Sequence, residues 1–287
     1  MSTVLLFGST GFLGSQVRDL LAGDPRVSFL LCPRRVDLDL LAATPGDVAE
    51  LLREVRPTVV LNCVGRMSGG YDELLRGNAG VTAVLLEAVA AAAPSARFVR
   101  LGSAAEYGPV PHGHDQRESD QARPTSPYGI SHLAGTLLVE QAHEVDALSL
   151  RIFNPVGPGI SADNVLGRAR DLLKTASGHI DMGPLGAMRD FVDVRDVADA
   201  VVRAAFAPAP ALDERVVNVG SGQAVAVRDA VALLAAESGF TGEIRESAGE
   251  SAKSRAVSWS RADLARARKV LGWRPRVPLA DSVKAMW

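Results

Sequence analysis

The chain has 287 residues and a formal net charge of −2, from 31 basic and 33 acidic residues. This near-neutral charge excludes the strongly basic field on which phosphate-backbone binding relies, so we expect no nucleic-acid partner. With 47% hydrophobic and 22% charged residues, the composition is typical of a globular protein rather than a disordered or fibrous one.

Three further features bear on location. The longest apolar stretch, residues 81–93, is interrupted by Glu87 and is shorter than the roughly 20 residues that a membrane-spanning helix needs. The N-terminus reaches glycines early and lacks the basic residues of a signal peptide. Two cysteines, Cys32 and Cys63, are too few for a disulfide framework. We therefore expect no membrane association and a cytoplasmic location.

Short β-branched or leucine-rich runs alternate with longer alanine-rich runs, which is typical of βαβ units around a parallel sheet. The predicted strands are 3–7, 27–31, 58–63, 97–101 and 148–153, and the predicted helices are about 12–22, 45–55, 78–93, 127–144, 163–176, 195–207, 226–238 and 261–271. Strands that are apolar throughout indicate a sheet covered on both faces. The predicted fold is α/β: a doubly wound Rossmann sheet over 1–155, with returning segments near 190–220, and a smaller C-terminal substrate-binding lobe over 156–287.

A glycine-rich segment follows the first predicted strand at once and opens the first predicted helix. Such a turn aims free backbone N–H groups and the positive end of the helix dipole at one point, and glycines allow a pyrophosphate to approach closely. The spacing is G-x-x-G-x-x-G rather than the commoner G-x-G-x-x-G, and the alternative is a tight turn that uses glycine for geometry alone. The predicted phosphate-binding residues are Gly8, Thr10, Gly11, Phe12, Leu13 and Gly14.

The end of the second predicted strand indicates which dinucleotide binds. An NAD site usually has an acid there to hold the ribose 2′-hydroxyl, but here the strand ends without one, and Arg34 and Arg35 follow. An arginine pair suits a 2′-phosphate, so NADP is favoured and NAD is the alternative. The arginines could instead be solvated loop residues. Asp37 and Leu38 lie where an acid and a backbone N–H can contact the adenine, or where an ordinary loop acid would lie.

Further motifs occur in a fixed order along nearly the whole chain. They are PTVVLNCVG (57–65), Asn78 at a helix start, GSAAEYG (102–108), PYGISH (127–132), RIFNPVGP (151–158), RDFVDVRDV (189–197), NVGSG (218–222) and LGWRP (271–275). With the glycine loop, this series resembles the extended short-chain dehydrogenase/reductase group, which contains nucleotide-sugar epimerases, dehydratases and ketoreductases. The resemblance implies an NAD(P)-dependent enzyme in which Cys63, Val64 and Gly65 line the cofactor.

The resemblance also implies a catalytic pair. In the group, a serine or threonine at the place of Ser103 holds the reacting oxygen, and a tyrosine at the place of Tyr128 is the acid/base. Hydride transfer to a carbonyl carbon develops charge on oxygen, so the chemistry needs a phenol to deliver the proton and a hydroxyl to orient the oxygen. Without the resemblance, Ser103 would be interpreted as a turn hydroxyl and Tyr128 as a half-buried aromatic residue.

One position departs from the Tyr-x-x-x-Lys pattern of the group, because residue 132 is His132. In the group, the lysine binds the nicotinamide ribose and lowers the tyrosine pKa through a fixed positive charge. No lysine precedes Lys174, so none from the predicted nucleotide domain replaces it. His132 is predicted to bind the ribose; when protonated it would also supply the charge, and when neutral it would supply only a hydrogen bond. The alternative is a polar residue at a site that has lost its redox chemistry.

A second departure from the group narrows the range of possible reactions. Sugar 4,6-dehydratases of the group carry Asp-Glu after the serine or threonine, whereas this chain has Ala104 and Ala105. Methyl groups cannot relay a proton, so dehydration by that mechanism is disfavoured. Glu106 follows, but we expect it to point to the other side of the chain.

For the substrate, Asn154 and Arg189 match positions that contact a nucleotide diphosphate in the group. Arg189 could equally pair with Asp190 or Asp193 in a structural turn. No metal site is predicted, because His112 and His114 have no third ligand at a fixed spacing.

These observations predict an NADP-dependent oxidoreductase, a ketoreductase that acts on a nucleotide-activated sugar or a similar small metabolite. The alternatives are an epimerase with tightly held NAD(P), a catalytically silent NADP-binding protein, and a non-redox enzyme that uses the site for proton transfer alone. By resemblance, the helices at 78–93 and 127–144 are expected to pair two chains in a homodimer.

Overall fold

The computed structural model describes residues 1–247 and 257–287. Its strands are β1 (Ser2–Phe7), β2 (Val27–Leu31), β3 (Val59–Asn62), β4 (Arg97–Ser103), β5 (Ala147–Ile152), β6 (Asn154–Val156), β7 (His179–Met182), β8 (Met188–Arg189), β9 (Phe191–Asp193), β10 (Val216–Val219), β11 (Val225–Ala226) and β12 (Glu243–Glu246). Its α-helices are α1 (Phe12–Ala22), α2 (Pro45–Val55), α3 (Tyr71–Leu75), α4 (Val81–Ala92), α5 (Pro127–Gln141), α6 (Val165–Leu173), α7 (Val194–Phe206), α8 (Val227–Glu237), α9 (Ala265–Leu271) and α10 (Leu279–Lys284).

The central sheet has six parallel strands in the order β10–β5–β4–β3–β1–β2. Every residue of β3, β4 and β5 is buried, because helices cover both faces. Alternate side chains of β1 serve the two faces: Val4 and Leu6 pack with α1 and α7, whereas Leu5 and Phe7 pack with α2 and α4. This is the doubly wound Rossmann-type α/β fold that the sequence predicts.

One predicted helix is longer than expected. The stretch at 78–93 continues a helix that begins with α3, and a π-helical turn, Arg76–Gly80, joins α3 to α4. Asn78 therefore lies inside a helix and does not open one, which corrects the expectation. By length and composition Tyr71–Ala92 could cross a membrane, but half of its most apolar window is buried, as in the core helix of a globular protein.

A third hydrophobic cluster lies in the C-terminal part of the chain. It joins α6, α8 and α10 through Leu166, Val231 and Val283, beside the small pairs β6–β9, β7–β12 and β8–β11. By contrast, α7 and β10 return to the central sheet, in the region where returning segments are predicted. The division into two domains stays a prediction, and residues 248–256 of the predicted lobe lie outside the described part.

Candidate active site

The glycine loop packs directly against the segment that follows β3. Gly8 has a φ of +80°, and a Cβ atom there would lie 2.6 Å from the carbonyl carbon of Cys63 and 2.8 Å from the nitrogen of Val64. A Cβ atom at Gly14 would lie 2.0 Å from the carbonyl oxygen of Gly8. The strand order reverses between β1 and β3, and in such sheets ligands bind in the crevice at this point. The cradle therefore fits a dinucleotide phosphate, with Gly11 as the N-cap of α1.

The other predicted loop residues have different surroundings. Thr10 is exposed, Leu13 packs on the core beneath α1, and Phe12 packs with the C-terminal cluster, near Gly159. Phe12 therefore links the loop to the C-terminal part of the chain.

Cys63, which follows β3, has a perturbed thiol. Burial, and to a smaller degree Cys32, raises the pKa of the Cys63 thiol to about 12, so this thiol stays protonated.

The two arginines after β2 are exposed and paired with nearby acids. Arg34 donates to both carboxylate oxygens of Asp37 at 3.1 Å, and Arg35 donates to Asp39 at 3.0 Å. Asp37 is thus a partner of Arg34, and Leu38 packs beside the cluster of α2 and α4. Exposed ion pairs are weak, so both guanidinium groups can rearrange toward an incoming phosphate.

Ser103 and Tyr128 lie at the carboxyl edge of the sheet. Ser103 ends β4, and its hydroxyl accepts a hydrogen bond from the Ala105 backbone at 3.2 Å. Tyr128 is the second residue of α5, whose N-cap, Ser126, accepts from the Gly129 backbone at 3.1 Å. Burial raises the pKa of Tyr128 above its ordinary value; the nearby Ser103 side chain lowers it, Glu106 raises it further, and the positive charge of Arg100 lowers it by a smaller amount. The structure therefore brings the two predicted catalytic side chains together.

His132 lies one turn further along α5 and is 6% exposed. Its ring meets the Tyr128 ring edge-on, with centroids 4.5 Å apart. Burial, followed by the charge of Arg100, lowers the pKa of His132 to about 3. At physiological pH this low pKa favours the neutral imidazole, the case in which His132 supplies a hydrogen bond but not the missing charge, and its contact with the ribose stays a prediction.

The sequence prediction missed a cation in the same place. Arg100, in the middle of β4, is 1% exposed, and its Nη2 lies 3.3 Å from Nδ1 of His132. Its Nη1 donates to Thr136 Oγ1 at 2.8 Å, Ser149 Oγ at 3.1 Å and the His132 carbonyl at 3.2 Å. An arginine in the interior of a strand that is buried throughout is the signal that could have revealed it.

Asn78 ties two parts of the site together, which also went unrecognised. Its side-chain oxygen accepts from the Arg66 backbone at 2.8 Å, and its amide donates to Ser131 Oγ at 2.9 Å. A Cβ atom at Gly65 would lie 3.3 Å from the Asn78 side-chain oxygen. The segment after β3 is thereby fixed to α5, which carries Tyr128 and His132.

The carboxylate of Glu106 is engaged in a buried ion pair with Arg151. It is fully buried and accepts from Arg151 Nε at 2.8 Å and from the Ser103 backbone at 3.0 Å. Its carboxylate therefore braces the turn that positions Ser103. Neither Ala104 nor Ala105 offers a group that could transfer a proton.

A cleft of about 210 Å³ lies beside β6 and β8 and is lined by Asn154 and Arg189, with Arg168 from α6. Asn154 donates its side-chain amide to the Asp190 carbonyl at 3.1 Å. The guanidinium of Arg189 donates to the Met188 and Val257 carbonyls, each at 2.8 Å, and within 1–247 and 257–287 no carboxylate pairs with it. Burial lowers the pKa of Arg189, which indicates a poorly solvated cation.

The acids that could have paired with Arg189 are engaged elsewhere. Asp190 is buried and accepts from the backbones of Ser221, Gly222 and Ala262, and Asp193 caps α7 and pairs with Arg195.

The two loop histidines have separate partners. His114 bonds Asp120 at 2.6 Å, and His112 packs on Trp259. No cluster of three metal-ligating side chains occurs among residues 1–247 and 257–287.

The sheet, the glycine cradle and the Ser–Tyr pair define a Rossmann-type dinucleotide-binding protein. A model of the NAD dependent epimerase/dehydratase family matches residues 4–220, so the chain belongs to that family. This confirms the resemblance to the extended short-chain dehydrogenase/reductase group.

Individual relatives match over nearly the full length. The chain is 39% identical, over 99% of its length and 94% of the relative, to dTDP-6-deoxy-L-talose 4-dehydrogenase (NAD(P)(+)) from Kitasatospora kifunensis. It is 29% identical, over 97% of its length and 94% of the relative, to GDP-6-deoxy-D-mannose reductase from Pseudomonas aeruginosa. A solved structure of RMD from Pseudomonas aeruginosa, complexed with NADPH, superposes with a TM-score of 0.87 at 27% identity, covering 99% of this chain and 97% of that one.

Proposed function

We propose that the protein is an NADP(H)-dependent oxidoreductase that interconverts a hydroxyl and a keto group on a nucleotide-activated 6-deoxysugar. The observation that carries the proposal is the packing of the first turn of α5, which carries Tyr128, against the turn that follows Ser103: a Cβ atom at Gly129 would lie 2.4 Å from the Ala105 carbonyl oxygen. This contact lies at the sheet edge that also holds the glycine cradle. The names of two relatives support it, because both describe oxidation or reduction of a nucleotide-linked 6-deoxysugar.

The chain's own groups divide the work of the reaction. A nicotinamide cofactor, when bound, supplies the hydride to the carbonyl carbon or accepts it from the alcohol carbon. Ser103 hydrogen-bonds the reacting oxygen, and Tyr128 donates its phenolic proton to that oxygen in the reducing direction. In the oxidising direction Tyr128 must first lose this proton, so a positive charge near the phenol assists the reaction. Glu106 and Arg151 hold Ser103 in position for this reaction.

The cleft beside β6 suits the nucleotide diphosphate. Arg189 brings a poorly solvated guanidinium, and arginine binds phosphate oxygens in a bidentate manner. Asn154 lies two residues beyond Ile152, which is the register partner of Ser103 on the neighbouring strand. A diphosphate bound at Arg189 would therefore lie on the same edge of the sheet as the catalytic pair.

The test is a turnover assay in both directions. Oxidation of dTDP-6-deoxy-L-talose with NADP⁺, and reduction of dTDP- and GDP-linked 4-keto-6-deoxysugars with NADPH, are followed by nicotinamide absorbance. We expect turnover with at least one of these substrates and a loss of at least about a hundredfold in kcat for Tyr128→Phe. Arg189→Met should raise KM more than it lowers kcat.

Other outcomes would overturn the proposal. Interconversion of 4-epimers, detected by proton NMR without net change in nicotinamide absorbance, would indicate an epimerase. Binding of NADPH without turnover of any sugar nucleotide would indicate a silent binding protein.

A further inference from the structure

Arg100 is a buried cation that pairs with no acid among residues 1–247 and 257–287. Among the described residues, the groups that accept from its guanidinium are all uncharged: His132, Thr136 and Ser149. Its Nε has no hydrogen-bond partner at all within the described part of the chain. Glu106 is the acid whose charge affects Arg100 most, and it is already paired with Arg151. A buried guanidinium without a counter-charge destabilises the fold, so its presence calls for another explanation.

The fold makes room for this guanidinium in a specific way. Side chains of β4 alternate between the two faces of the sheet, and Arg100 lies on the face covered by α5. The helix residue above it is Gly135, and a Cβ atom there would lie 2.9 Å from the Arg100 guanidinium carbon. Thr136 and Ser149 complete the pocket from the helix and from the neighbouring strand. The cation is therefore built into the contact between α5 and the sheet.

The charge acts on the catalytic tyrosine. The phenolate of Tyr128 and Arg100 attract each other, which lowers the pKa of the phenol. The other charged groups facing this region are Glu106 from the turn after β4 and its partner Arg151 from β5; even in this pair, Glu106 raises the tyrosine pKa by more than Arg100 lowers it. His132 itself is neutral.

Arg100 also fixes the tautomer of His132. A guanidinium N–H can only donate, so Nδ1 of the imidazole accepts this hydrogen bond and the ring proton lies on Nε2. Nε2 is then a hydrogen-bond donor on the side of the ring that is not held by Arg100. One lysine side chain would combine these two properties, a donor and a positive charge, in a single ammonium group.

We propose that Arg100 and His132 together replace the lysine of the Tyr-x-x-x-Lys motif, with Arg100 supplying the fixed positive charge from beneath the helix and His132 Nε2 supplying the hydrogen bond to the cofactor ribose. This inference rests on the proposed function. Arg100 acts through space and through His132, so it is a positioning residue rather than a catalytic one. The site then retains both of the lysine's properties, although no lysine precedes Lys174.

The first measurement follows the phenol directly, in protein without cofactor. The chain has only three tyrosines, so ¹³Cζ-tyrosine labelling gives three NMR signals, and the Tyr128 signal is assigned with Tyr128→Phe. Its titration midpoint is compared in the wild type and in Arg100→Met. We expect the midpoint to rise by at least about one pH unit when the charge is removed.

Arg97 provides a matched control on the same strand. It is also buried, but it lies on the opposite face, where it pairs with Asp146 and donates to carbonyls at the end of α7. Arg97→Met should lower stability without moving the Tyr128 midpoint. If circular dichroism shows that Arg100→Met does not fold, Arg100→Gln keeps an amide donor for Thr136 and Ser149 and carries the same comparison.

A double variant tests the replacement itself. In the wild type, His132→Lys places a second cation against Arg100, so we expect lower thermal stability and no gain in kcat. In Arg100→Met, the same change restores the family pattern. We therefore expect the double variant to bring the Tyr128 midpoint and the alkaline limb of the kcat profile back toward the wild type, within about threefold of its kcat.

The outcomes separate this inference from the proposed function. An unchanged Tyr128 midpoint in both Arg100→Met and Arg100→Gln would overturn the role of Arg100, even if the wild type turns over a sugar nucleotide. Additive losses in the double variant would overturn the replacement. Conversely, a wild type without turnover contradicts the proposed function, while the NMR titration still decides whether Arg100 controls Tyr128.

Discussion

At the scale of single residues, the histidine at position 132 depends on its neighbours for its protonation state. A histidine at position 132 could carry a charge only if water or an acid could reach it, and the structure instead buries it against Arg100. The sequence predicted Ser103 and Tyr128 as a catalytic pair and showed the departure at position 132. It could not give the protonation state of His132, because that state depends on burial and on a cation 32 residues earlier in the chain.

The neutral state of His132 predicts a pH dependence of stability. Its folded pKa of about 3 lies below the unfolded value of 6.5, so its stabilising contribution is present above pH 6.5 and is lost as the pH falls toward 3. Between pH 7.5 and 5.5, the wild type should lose about 1 kcal/mol more unfolding free energy than His132→Gln. Urea denaturation of both proteins at the two pH values measures this difference. Parallel losses would show that His132 titrates normally in the folded protein.

The arginines after β2 predict the choice of cofactor. NADP(H) should bind at least about tenfold more tightly than NAD(H), because a 2′-phosphate can take Arg34 and Arg35 from their exposed partners Asp37 and Asp39. Arg34→Ala and Arg35→Ala should weaken NADP(H) much more than NAD(H), whereas the exposed Arg53→Ala on α2 should change neither. Titration by nicotinamide fluorescence measures these affinities. Equal affinities of the wild type for both cofactors would contradict the prediction.

At the scale of elements, hydrophobic patterning located five of the six strands of the central sheet; β10 was predicted only as part of a segment that returns to the sheet. The predicted strands 27–31 and 3–7 differ from β2 and β1 by no more than one residue, because these runs are apolar and are bounded by turn residues. The pattern failed at Tyr71–Ala92, where a π-helical turn containing two glycines and Asn78 interrupts the apolar periodicity without ending the helix. It also gave no reason to single out Arg100, since only the packing of α5 on β4 shows which groups surround this residue.

The packing of α5 on β4 can be tested at Gly135. In an exposed helix, alanine in place of glycine would stabilise the protein by about 1 kcal/mol. Here a Cβ atom would lie 2.9 Å from the Arg100 guanidinium and 3.0 Å from the Asn78 carbonyl oxygen, so we expect Gly135→Ala to destabilise by about 1–3 kcal/mol. It should also lower kcat by displacing Arg100.

Gly46 in α2 is the matched control for this substitution. A Cβ atom there would meet only the Thr44 hydroxyl, at 3.5 Å, so Gly46→Ala should leave stability unchanged or raise it slightly. Thermal unfolding of both variants, together with the Tyr128 NMR midpoint, measures the effect. A stabilised Gly135→Ala with wild-type kcat would show that the guanidinium is free to move.

At the scale of the whole molecule, an exposed apolar surface on α3 and α5 bears on assembly. Leu75, Ile130, Leu137 and Leu138 are each at least 39% exposed, and Tyr71 is 75% exposed. Gly135, also on α5, faces Arg100 inside the chain and is not part of this surface. The exposed apolar side chains therefore favour this face as the contact between two copies.

We predict a homodimer formed through this face. In two-fold symmetric pairing each patch contacts its own copy, so a charge placed in it is introduced twice and brought close to itself. Leu137→Glu should therefore convert the dimer to a monomer, which light scattering at micromolar concentration detects as a fall from twice the chain mass to the 30.2 kDa of one chain. Leu233→Glu, on the exposed side of α8 in the C-terminal part of the chain, should leave the dimer intact. A wild type that scatters as a single chain would contradict the prediction, and the exposed leucines would then require a different partner. The helix α5 also carries Tyr128 and His132. If the dimer contact holds this helix against β4, dissociation of the dimer should lower kcat in addition to lowering the measured mass.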